Sequence, residues 1–194
     1  VRRGAAAFAA LAPLALAHAG CTTAVIVAYQ TLSDVRTVHE QHEDARIMGT
    51  IKDQLATRAG VGSALQIHVF SHVGRVVLAG IVEPGSKMGA EAIAVARTVE
   101  GVRRVDTVFL PERPSYPRDL TISLKFDAKL VADLELRRTQ LDWTVLAGTV
   151  VVTGVVDSPL KAQKVLNHAR SIDNVTSVRS FIQVRPPTDK REPR

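Results

Sequence analysis

The apolar residues between Asp44 and Leu110 switch from a helical spacing to an alternating one and back again. Ile47, Ile51 and Leu55 recur every four residues, which lines one face of a helix, and Asp44 stands where it can cap that helix. Leu65, Ile67 and Val69 then alternate with polar partners, and "SHVG" followed by "RVVLAG" predicts a turn and a second strand. After Pro84 and Gly85, helical spacing returns at Met88, Ala92, Val95, Ala96 and Val99. Gly101 can end this helix in a left-handed cap, and "VRRVDTVFL" predicts a third strand.

The same order then repeats. "GRVVLAGIV" from Gly74 and "GTVVVTGVV" from Gly148 share one glycine–valine–glycine frame. Asp119 opens a stretch in which Ile122, Phe126 and Leu130 match the first helix, and "LDWTVL", "AG" and "TVVVTG" match the hairpin, with Leu141, Trp143 and Val145 on one side. Pro159 starts a helix where its missing N–H costs little, Val165, Ala169 and Ile172 supply its buried stripe, and Asn174 stands where Gly101 stood. "VTSVRSFIQV" completes the unit. Gly74 and Gly148 predict the hairpin turns, while Gly80 and Gly154 are expected to let the chain leave the sheet tightly. The predicted fold class is α+β: two tandem α-β-β-α-β units, each a three-stranded sheet packed against two helices. The first spans residues 44–110 and the second 119–184, with a proline-stiffened linker at 111–118 and a disordered tail at 185–194.

Ahead of the repeats, "VRRGAAAFAALAPLALAHAGCTT" places Arg2 and Arg3 before an Ala/Leu-rich run and the small residues Ala19 and Gly20 before Cys21. That is the layout of a secretory signal over residues 1–20, with residues 21–43 as the segment joining Cys21 to the first unit. Val1 in place of Met fits a non-AUG start translated literally. Small residues before a cysteine resemble the lipobox of bacterial lipoproteins, which implies acylation of Cys21, although His18 stands where that pattern has an aliphatic residue. Thr22 after the cysteine points to the outer membrane, since Asp there often signals inner-membrane retention in such lipoproteins. An uncleaved spanning helix and a soluble periplasmic protein are the alternatives.

Composition narrows the function classes. Hydrophobic residues make up 46% of the 194 but aromatics only 4%, so Val, Leu, Ile and Ala must fill shallow cores. The formal charge of +6 includes Arg2 and Arg3, and this is too mild and too scattered for a nucleic-acid partner. One cysteine forms no intrachain disulfide and no thiolate metal cluster. No phosphate loop, nucleophile elbow or catalytic carboxylate pair stands in its required context, so neither an enzyme nor a cofactor is expected.

The repeated "G-x-V-V-x-x-G" strand, the amphipathic helix after it and the closing "GVRRV" (Gly101–Val105) or "NVTSV" (Asn174–Val178) resemble the BON domain. Two such units behind a lipobox are similar to the dual-BON lipoproteins of the Gram-negative outer membrane, to which osmotically induced periplasmic proteins are related. The resemblance covers about Asp44 to Val184. It implies binding to anionic phospholipid membranes, a role in outer-membrane integrity, no enzymatic activity and, in some members, partners among outer-membrane assembly or division proteins.

The two leading helices differ on their outward faces. At about 100° per residue, the side opposite Ile51 carries Ala45, Gly49, Asp53 and Ala56, whereas the side opposite Phe126 carries Leu120, Leu124, Ala128 and Val131. With Arg118, Lys125 and Lys129 beside it, this second stripe is expected either to meet a phospholipid surface or to pack against the first unit. A scaffold binding envelope proteins through exposed sheet edges is the alternative function. The histidines of "VHEQHED" are three apart rather than the four a zinc-protease helix needs, so the segment reads as a solvated link. His68 and His72 are expected to be exposed, Trp143 to be in the core, and Arg103–Arg104 and Arg137–Arg138 to be solvated surface pairs.

Overall fold

The structure is a computed structural model that describes residues 34–60, 65–83, 85–111, 114–136 and 139–186. Cys21, the signal layout and the Arg137–Arg138 pair lie outside the described residues. The elements run α1 (Val38–Ala59), β1 (Ile67–His72), β2 (Arg75–Ile81), α2 (Lys87–Thr98) and β3 (Arg104–Leu110). They repeat as α3 (Tyr116–Ala132), β4 (Leu141–Leu146), β5 (Thr149–Val156), α4 (Pro159–Arg170) and β6 (Ser177–Val184). Each unit has a three-stranded sheet whose middle strand pairs antiparallel with the strand before it and parallel with the one after it. The parallel pairing needs a crossover, and α2 and α4 supply it.

One face of each sheet carries its helices. Ile47, Ile51 and Leu55 of α1 meet Val76 and Leu78 of β2 and Ala92 and Val95 of α2 in the first core. Ile122, Phe126 and Leu130 meet Val150, Val152 and Val165 in the second. Each such side chain contributes about 1.5–3 kcal/mol on burial. Trp143 is half-buried there, edge-on to Phe126 with ring centroids 5.5 Å apart, and its Nε1 donates to Ser123 Oγ at 3.3 Å.

The other face of each sheet is buried against its duplicate. Val77, Ala79, Val108, Leu146 and Val151 form a third core, with Phe70, Ile81, Leu110 and Phe181 packed around it. β5 is accordingly buried along its whole length, and its valines do not alternate with polar residues because neither face meets water. Polar contacts border this seam: Gln183 Nε2 donates to the His72 carbonyl at 2.7 Å, and Arg185 pairs with Glu40 at 2.8 Å.

Several expectations are corrected. Asp44 is not an N-cap: α1 begins at Val38, where Thr37 and Glu40 form a reciprocal capping box, and the "HEQHED" segment expected to be a solvated link makes its first turns. α3 begins at Tyr116, three residues before Asp119, because Pro117 sits in the first turn where no N–H is needed. β1 starts at Ile67, and Leu65 before it is exposed. His72 is buried, 1% exposed, with Nε2 3.1 Å from Asp142 Oδ2 across the seam. Arg185, expected in a free tail, is held by Glu40.

Gly74 and Gly148 do sit in the hairpin turns with positive φ, and Asn174 at φ 68° repeats the left-handed step that Gly101 makes at φ 87°. Gly80 and Gly154 are not turn residues. They lie inside β2 and β5, where a Cβ would stand 2.5 Å from the Gln66 carbonyl oxygen and 2.7 Å from that of Gln140. The close approach of the incoming chain, and not an exit from the sheet, demands glycine.

Candidate functional site

α3 turns Ile122, Phe126 and Leu130 inward, so the residues half a turn away must face outward. Leu120, Leu124 and Val131 are 60%, 62% and 61% exposed, and Ala128 between them is exposed as well. The first unit does not cover this stripe, because the two units dock through their sheets and leave the helices on the outside. The expectation that the stripe packs against the first unit is therefore overturned. Tyr116, one turn earlier and 78% exposed, extends the same line. Placing the helix start at Asp119 hid it; Pro117 in the first turn was the available signal.

The basic residues divide. Arg118 is half-buried, with Nε 3.4 Å from Asp119 Oδ1. Lys125 is exposed and stands 3.4 Å from the exposed carboxylate of Asp173, a weak pair open to exchange. Lys129 is half-buried and makes no ion pair among the described residues. Beside the helix start a cleft of about 550 Å³ opens between the units, lined by Leu65, Ile81, Tyr116, Leu120, Trp143 and Leu146 among others. The apolar stripe thus runs into a cleft of mixed character, whose lining also includes Gln66, His68, Asp119, Ser123 and Thr144.

Buried carboxylates hold this geometry. Asp119 accepts from the Ala147 and Gly148 amides of the hairpin turn, both at 2.9 Å, which fixes α3 to its sheet. Asp44 does the same in the first unit, accepting from Val73 N at 2.8 Å, Gly74 N at 3.1 Å and Ser71 Oγ at 2.8 Å. Arg36, itself clamped by Asp34 at 2.7 Å, adds a contact to Asp44 at 2.8 Å. Burial would raise the Asp44 carboxyl, yet the hydrogen bonds from Val73, Gly74, Ser71 and Arg36 outweigh it and hold the group below its ordinary value. Among the described residues no cluster of histidines, cysteines and acids is arranged to hold a metal ion, and no helix is long and apolar enough to cross a membrane.

These features define a tandem α+β protein whose duplicated units share a sheet-to-sheet seam and differ in the surface of their leading helices. The family model described as "BON domain" matches residues 43–109 and 118–186, and the chain belongs to that family. Osmotically-inducible protein Y of Escherichia coli strain K12 is 26% identical over 159 residues, 79% of this chain and 78% of that protein. The C-terminal domain of CdsD, the structural protein of the type III secretion system of Chlamydia trachomatis, aligns over 74% of this chain and 67% of that structure, with 14% identity and a TM-score of 0.31. That last likeness is too slight to carry an argument.

Proposed function

We propose that this protein is a non-enzymatic envelope lipoprotein that binds anionic phospholipid membranes through α3 and supports outer-membrane integrity. The observation that carries the reading is the exposed stripe of Leu120, Leu124 and Val131, which has no counterpart on α1 and is left open by the docking of the two units. Lys125 and Lys129 flank it, and each lysine near an anionic surface contributes on the order of 1 kcal/mol. Cys21, acylated in this reading, supplies a second attachment, and two weak attachments on one chain reinforce each other by effective concentration. Similarity to an osmotically inducible protein agrees with an envelope role.

The test is flotation of the non-acylated protein with vesicles of phosphatidylglycerol and phosphatidylcholine. Binding to the anionic vesicles that falls at least roughly tenfold in Leu124→Glu, with the circular dichroism spectrum unchanged, is the expected result. Equal binding by the folded variant rejects the lipid reading. Recovery of a stoichiometric envelope protein without vesicle binding would favour the scaffold reading.

A further inference from the structure

At the end of the seam where β1 enters its turn, a cavity of about 420 Å³ is lined by Val73, Arg75, Arg103, Arg104, Gln183 and Arg185. Both units contribute to its wall, which contains four arginines and no carboxylate among the described residues. Two acids stand behind the wall. Asp106 accepts from Arg75 Nε at 2.7 Å and lies 2.9 Å from Arg104 Nη2, and Glu40 holds Arg185 at 2.8 Å. Burial works to raise the Asp106 carboxyl, but the hydrogen bonds from Arg75 and Arg104 prevail and hold it below its ordinary value. The nearby Glu43 and Asp44 are taken up by Arg46 and Arg36. Arg103 has no ion-pair partner among the described residues, and because Arg36 serves Asp34 as well as Asp44, the six arginines here face five carboxylates and leave an excess of one positive charge.

Part of this charge also braces the seam, since Arg75 lies over the Phe181 ring at 5.3 Å and Arg185 pairs with Glu40, but Arg103 and Arg104 make no such contact across it among the described residues. Arg75 and Arg104 are register partners on adjacent strands, a like-charged juxtaposition that the single carboxylate of Asp106 offsets only in part. In the second unit the corresponding partners are Thr149 and Ser177, joined by a hydroxyl contact of 2.9 Å, and Thr176 follows the turn as Arg103 does. A neutral pair thus builds the same strand junction. The arginines concentrate guanidinium forks, whose planar donors match phosphate oxygens two at a time.

We propose that this cavity binds a phosphate-class oxyanion, carried either by a lipid headgroup or by a soluble phosphate compound. It lies at the opposite end of β1 from the cleft beside Tyr116, roughly 20 Å along the strand. The proposal does not rest on the membrane role of α3.

The experiment uses the full chain with Cys21→Ser, its double variant Arg103→Gln/Arg104→Gln and the single variant Arg103→Gln, each checked for folding by circular dichroism. Inorganic pyrophosphate is titrated calorimetrically, and flotation is run with phosphatidylglycerol and phosphatidylcholine vesicles, with Leu124→Glu as a separate control. Pyrophosphate binding that weakens about tenfold per arginine removed, and survives Leu124→Glu, supports a site for soluble phosphate compounds. No pyrophosphate binding, but binding to anionic vesicles that weakens by the same factor in the arginine variants, supports a headgroup site. Binding of both probes that is unchanged in the arginine variants, or absent in the parent chain, overturns the proposal.

Discussion

Replacing Asp44 by alanine tests the claim that a helix carboxylate fixes each hairpin turn. The substitution strips the Ser71 hydroxyl and the Val73 and Gly74 amides of their acceptor, and leaves Arg36 with Asp34 alone. Hydrogen bonds to a charged acceptor contribute about 1.5 kcal/mol or more each, and partial rescue by water brings the expected loss to about 3–4 kcal/mol. Asp119→Ala removes two turn amides and should cost about 2–3 kcal/mol. Urea unfolding followed by circular dichroism measures both, and at an m-value near 2 kcal/mol/M the Asp44 midpoint falls by about 1.5–2 M. The pH dependence gives a second check. A carboxyl held below its ordinary value when folded contributes stability that is present above about pH 4 and is lost as the pH falls through the folded value. The gap between parent and Asp44→Ala should therefore narrow on acidification below pH 4. A loss of less than about 0.5 kcal/mol at neutral pH, or a gap that widens in acid, would refute the assignment.

Other consequences follow from the packing. Gly154→Ala places a methyl 2.7 Å from the Gln140 carbonyl at a φ of 151°, so the melting temperature should fall, with a loss of about 2–4 kcal/mol by calorimetry. Gly49→Ala adds a methyl to the exposed face of α1 with nothing within 4 Å, and should raise stability by about 0.5–1 kcal/mol in the same assay. Val151→Asp puts a carboxylate into the dry seam, and a loss of about 3–5 kcal/mol with a larger hydrodynamic radius is expected by denaturation and light scattering. Leu124→Glu, by contrast, should change stability by less than about 0.5 kcal/mol, because that side chain is open to water.

The duplicated α-β-β-α-β order was legible because each unit repeats local signals: four-residue apolar spacing, a Gly74 or Gly148 turn, and a left-handed step that Gly101 and Asn174 both accept. The apolar side of α3 was legible as well, since periodicity alone assigns Leu120, Leu124 and Val131 to the flank opposite Phe126. Boundaries were less so. Thr37 and Glu40 spell a capping box ahead of Asp44, but an acidic residue before an apolar run has the same local appearance whether it caps a helix or reaches a distant turn.

What the sequence determined by itself is therefore whatever depends on near neighbours: the elements, their order and the face each one buries. Only tertiary structure decided how the strands close on one another, and so why Gly80 and Gly154 tolerate no side chain, and how the two sheets meet, and so why His72 is buried and why Arg75, Arg103, Arg104 and Arg185 share one cavity. Those facts join residues far apart in the chain. The valine runs of β2 and β5 are dry on both faces, yet hydrophobic burial is non-directional, so the runs alone did not say that a second surface would cover them or which one. Shape and register at the seam make that choice, and they exist only once both units have folded.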